Sequence, residues 1–165
     1  MAPLTGAAAD AAVIDAAKEL ARPFGAAVAA VYAPPDVAEL APWMGEGFMG
    51  GIQVAAIESL KEAASEGEKA ARAACTACDQ DKVSFVALSS PVAAGMSMQA
   101  RLSDVVVFDD EAARGRGPLA EAFQEIVAGE QRPTVVARPG LRADGVVAVA
   151  WDGGKEATRA ARTAL

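Results

Sequence analysis

The chain is expected to be an α/β protein built on a parallel sheet. Three observations carry that expectation. Short, largely apolar runs at 26–32, 83–88 and 105–108 have the character of strands, and 105–108 is unbroken, as expected of a strand buried on both faces. Stretches with apolar residues at helical spacing lie before and between them, as at Val13, Ile14, Ala17, Leu20 and Ala21. The two patterns alternate along the chain, which fits right-handed crossovers between parallel strands.

In order, Met1 to Leu4 has the character of a strand tail that turns through Thr5-Gly6 into a helix ended by Pro23 and Gly25. A buried strand at 26–32 stops at Pro34-Pro35. Residues 36–51 carry Trp43, Met44, Phe48 and Met49 among four glycines. That is a loop folded over the sheet or helix ends, or a lid or partner surface. Residues 52–79 form a long helix with a small-residue face (Ala56, Ala63, Gly67, Ala71, Ala74) and a charged one. A strand at 83–88 follows, then a helix entered at Pro91 and reaching about Arg101. The strand at 104–108 leads into a glycine loop, Arg114-Gly-Arg-Gly117. Leu119, Ala120, Phe123, Ile126 and Val127 then mark a helix face, capped by Gly129, before a strand at Thr134 to Ala137. A sixth strand is expected at 145–151, ending in Asp152-Gly153, with a last helix from Lys155. This segment weakly repeats the start of the chain, Leu4-Thr5-Gly6-Ala7 against Trp151-Asp152-Gly153-Gly154.

Composition removes several chemistries. The 165 residues are enough for one domain with a core. With no histidine, histidine-dependent triads and histidine-metal sites are excluded within one chain. A net charge of −7 argues against nucleic-acid binding. Hydrophobic residues make up 53%, much of it alanine, and no apolar run approaches the ~20 residues of a membrane span. Neither a signal peptide nor a membrane anchor is expected, and a cytoplasmic location is the default. Cys75 and Cys78 form a Cys-x-x-Cys, but near the end of a helical pattern, away from the helix N-terminus that would activate a thiol. They are expected to be small, partly buried helix residues.

The order of these elements resembles the universal stress protein family, and the resemblance covers nearly the whole chain. Ser103-Asp-Val-Val-Val107 and Gly129-Glu-Gln-Arg-Pro-Thr-Val-Val136 look like that family's fourth strand and its passage into the fifth. Ala148-Val-Ala-Trp-Asp-Gly-Gly154 looks like the first strand of a second such domain. The resemblance implies a three-layer α/β/α sandwich around a doubly wound five-stranded parallel sheet in order 3-2-1-4-5, of the adenine-nucleotide α-hydrolase type. It divides the chain into one such domain at 1–140 and the start of a truncated repeat at 141–165, the first half of a tandem protein. The first strand looks clipped, and the 145–151 strand is expected to compensate by pairing within the chain or with a second copy.

In nucleotide-binding members an aspartate after strand one contacts the nucleoside, and a Gly-x-x-Gly after strand four lets backbone N–H groups reach the phosphates. Carried onto this chain, the candidate contacts are Thr5, Gly6, Tyr32, Arg114, Gly115, Arg116 and Gly117. Thr5 stands at the aspartate position, Gly115 and Gly117 are one residue apart, and Glu130 follows Gly129. These departures imply a degenerate site and a non-catalytic regulatory module. A domain that binds ATP or AMP, with slow hydrolysis, is the alternative. A flavin-binding electron-transfer relative is disfavoured, since no acid–base constellation is visible. No catalytic residue, metal or definite cofactor is assigned. A homodimer is expected, through the edge strand Thr134 to Ala137 or by exchange of Gly145 to Leu165.

Overall fold

The computed structural model describes residues 1–35, 50–78, 82–89, 92–146 and 148–164. Strands and helices alternate as β1 (Ala2–Leu4), α1 (Asp10–Ala21), β2 (Val28–Tyr32), α2 (Gly50–Ala77) and β3 (Val83–Ala87). Then come α3 (Val92–Arg101), β4 (Val106–Phe108), α4 (Asp110–Ala113), α5 (Ala120–Gln124), β5 (Thr134–Val136) and α6 (Lys155–Ala164). The aromatic and methionine loop with Trp43, Met44, Phe48 and Met49 lies outside the described residues, as does Pro91.

Every strand pair is parallel. β2 lies between β1 and β3, with Ala2 opposite Ala30 and Val28 opposite Val83. β4 pairs with β5, Val106 opposite Thr134. The three-stranded and two-stranded sheets meet at Met1. Its amino group donates to the Val105 carbonyl at 2.8 Å, and its own carbonyl accepts from the Val107 N–H at 2.9 Å. β1 is short, as expected, yet these two facing groups of the Val105–Val107 backbone are paired.

Strand alternation divides the core in two. Leu4, Val28, Ala30, Tyr32 and Val107 point to one side, where Val13, Ile14 and Ala17 of α1 and Ala71 and Cys75 of α2 cover them. Val31, Ala33, Val106 and Phe108 point to the other, against Met96 and Ala100 of α3 and Leu119, Ala122 and Ile126 around α5. Phe108 and Phe123 meet edge to face at 5.3 Å. α1 runs into a 3₁₀ turn at Arg22–Phe24 carrying Pro23, and Gly25 takes a left-handed conformation, the stop that these residues predict. Cys75, in the last turns of α2, is buried, and Cys78, just beyond its end, is half-buried, both as free thiols.

Three expectations are corrected. The described residues of 145–151 form no strand in the single chain. Val146 is fully exposed and Trp151 is 59% exposed. The run has strand composition, but a strand persists only where a neighbour takes its backbone groups. The glycine loop after β4 is preceded by a helical turn, because Asp109 accepts from the Ala112 N–H at 2.8 Å and caps α4. Gly129 is not the left-handed cap of the following helix. α5 widens into a π-turn at Glu125–Gly129, closed by the Glu130 N–H donating to the Glu125 carbonyl, and Gln131 takes the left-handed conformation at φ 51°.

Candidate functional site

The carboxyl ends of parallel strands are where such sheets receive ligands, so the site is built from the residues that leave β1, β2 and β4. At the end of β1 the chain turns through Thr5 and Gly6, and Gly6 sits at φ +82°, a conformation glycine adopts freely. The turn is held from below by Asp10, at the start of α1. One carboxylate oxygen accepts from the Thr5 N–H at 3.0 Å and lies 3.5 Å from the Thr5 hydroxyl. The other accepts from the Gly6 N–H at 2.8 Å. Asp10 is only 3% exposed. Burial pushes its carboxyl above the usual range, and the charge of Asp109 adds to this. The bonds from Thr5 and Gly6 work in the opposite direction.

Above this turn lies α2. A Cβ on Gly6 would stand 2.4 Å from the Gly67 Cα and 2.5 Å from its carbonyl oxygen, so the two backbones touch. A Cβ on Gly67 would in turn meet the Tyr32 hydroxyl at 2.5 Å. That hydroxyl donates to the Ala64 carbonyl at 2.8 Å, and its pKa is raised by burial and by the nearby charges of Glu68 and Asp10. Arg72 lies over the Phe85 ring at 4.3 Å, a second tie between α2 and the sheet. Thr5, Gly6 and Tyr32 are thus brought together, and the group that packs on them is a helix of the same chain.

The second half of the predicted site lies beyond α4. Gly115 and Gly117 sit at φ +73° and +75°, with open space where a side chain would be. Yet the amides expected to cradle a phosphate are mostly engaged. The Gly115 N–H donates to the Ala112 carbonyl at 3.1 Å and the Arg116 N–H to the Glu111 carbonyl at 2.9 Å, closing α4. The guanidiniums are engaged as well. Arg114 donates to Asp110 at 2.5 Å, and Arg138 approaches the other oxygen of Asp110 at 2.9 Å. Arg116 grips both oxygens of Glu111, at 2.6 and 2.7 Å. These bonds hold the Asp110 and Glu111 carboxyls below their ordinary range and the Arg116 guanidinium above its own. All three arginines are exposed.

No hydrogen bond or ion pair among the described residues joins Thr5, Gly6 and Tyr32 to Arg114, Gly115, Arg116 and Gly117. Open grooves among the described residues lie elsewhere. One of about 510 Å³ opens beside the end of α1, between Lys18, Arg22 and Lys82, and one of about 410 Å³ lies between α3 and α5. No group of three or more acidic or cysteine side chains among the described residues could hold a metal ion. The residue that sequence reasoning missed is Asp10. Its signal was an acid one turn beyond a glycine that ends a strand, hidden among the other polar residues of α1. Compared with models of known families, with curated proteins and with solved structures, the chain matches none.

Proposed function

We propose that this chain is a universal-stress-protein-like module with regulatory rather than catalytic work, a degenerate nucleotide site and a tendency to pair with a second copy. In this reading the two sheets act as one five-stranded sheet in order 3-2-1-4-5, a three-layer sandwich spanning 1–140, with residues 141–165 beginning a second unit. The Met1 bonds to Val105 and Val107 support that order, since they set β4 beside β1. The observation that carries the functional reading is the contact of Gly6 with Gly67. Where a nucleoside would rest against the end of β1, α2 rests instead. The ion pairs of Arg114 and Arg116 support it further, because a phosphate would have to compete with carboxylates already in place. The outer edge of β5 and the segment 145–164 are the surfaces proposed for pairing, and the cytoplasm is the proposed setting.

Titration calorimetry with ATP and with AMP, with and without magnesium, tests this. The expected result is no saturable binding at micromolar ligand. Micromolar affinity that vanishes in the double variant Arg114→Ala with Arg116→Ala would overturn the degenerate site in favour of an ATP-binding domain. Flavin absorbance in the purified protein would move the reading to a different class.

A further inference from the structure

We infer that the groove between α3 and α5 is the docking site for helix α6 of a second copy of this chain. The groove, about 410 Å³ in volume, is lined by Ala94, Met98 and Arg101 of α3 and by Glu121, Glu125 and Glu130. Glu130 is neutralised by Arg101, at 2.5 Å. Glu121 and Glu125 form no ion pair among the described residues, and both are exposed. They stand one helical turn apart, and although the Arg101 charge reaches Glu125 as well as Glu130, the groove offers two negative charges in a row with no salt-bridge partner among the described residues. Met98, 64% exposed, provides apolar surface beside them, of the kind that lysine and arginine stems cover.

α6 is the complement. Lys155, Arg159 and Arg162 recur at i, i+4 and i+7 and therefore form one cationic stripe, spaced as Glu121 and Glu125 are. All three are exposed. Arg162 has no ion pair among the described residues, and Lys155 meets only its neighbour Glu156, at 3.7 Å. The helix does not lie in its own groove. It touches the groove's end, where Arg159 donates to the Gln131 side chain next to Glu130. Helix and groove therefore adjoin on one face. A two-fold axis through that face would seat each copy's α6 in the other's groove, satisfying both contacts at once. The chain between β5 and α6 leaves Val146, Val149 and Trp151 exposed, apolar surface that the same arrangement would help to cover.

This deepens the pairing proposed above and is separable from it, because nucleotide titration does not read it. The test is charge exchange, followed by sedimentation at up to about 0.5 mM protein. One variant carries Glu121→Lys with Glu125→Lys, the other Lys155→Glu with Arg162→Glu. All four positions are exposed, so far-UV circular dichroism should match wild type. Each variant alone should dimerise at least about tenfold more weakly than wild type. Mixed, the two should form a heterodimer, since the reversed helix then faces the reversed groove and the unchanged helix faces the unchanged groove. The wild-type dimer should also weaken as salt is raised from 50 to 500 mM, roughly the range over which exposed ion pairs are screened. A wild type that stays monomeric, or a mixture that fails to pair, overturns the inference. So does a dimer that ignores both reversals, which would assign pairing to another surface such as the β5 edge.

Discussion

Gly6 is held to glycine by two independent demands, its positive φ and its contact with Gly67. Gly6→Ala should therefore cost about 3 kcal/mol, from backbone strain and overpacking together, and move the urea midpoint accordingly. Gly67→Ala collides with the Tyr32 hydroxyl, whereas Tyr32→Phe removes that oxygen and should cost only about 1 kcal/mol. The double variant should then be less destabilised than the two losses added, a coupling that a double-mutant cycle measures. Asp10 supplies a pH signature of unusual sign. Its native pKa is raised, so the unfolded chain releases this proton first. Its contribution to stability is full below about pH 4, the unfolded value, and falls as pH rises through the native one. Asp110 and Glu111, with lowered values, do the reverse and lose their contribution as pH falls through their native values. The stability difference between wild type and Asp10→Asn should thus decline with rising pH, and a difference that grows would reject this account.

At the scale of elements, α4 is four residues long and depends on its cap. Asp109→Ala should cost about 1 kcal/mol and free the Gly115 turn, seen as faster amide exchange from 112 to 117. This element also shows what sequence could and could not reveal. β2, β3 and α2 were legible because period and composition agree along each of them. The turn of α4 was hidden because Asp109-Asp110-Glu111 resembles a solvated loop, and only the capping bond distinguishes the two. The π-turn at Glu125–Gly129 was hidden for another reason. The widened last turn carries the left-handed position to Gln131, two residues beyond Gly129, against the propensity of both residues. The run at 145–151 is the opposite case, with a legible strand pattern whose partner no single-chain sequence can name.

For the whole molecule, two cores share one set of strands, so damage on one face reaches the other. Phe108 is fully buried and stacks edge-on with Phe123. Phe108→Ala should cost about 3–5 kcal/mol, a large share of the stability of a domain this size. Loss of the cooperative thermal transition, on both near- and far-ultraviolet signals, is the expected readout. The α/β character was legible because it follows from alternation alone, while the fit of α2 against β1 was not. It depends on two glycines distant in sequence whose backbones touch. That contact sets the terms for any small molecule arriving at the end of β1. Its competitor is a covalently attached helix rather than solvent, and dilution does not remove such a competitor. Observed affinity becomes intrinsic affinity multiplied by the fraction of molecules in which the helix stands away. If that fraction were about one in a hundred, an intrinsically micromolar ligand would register near a tenth of a millimolar.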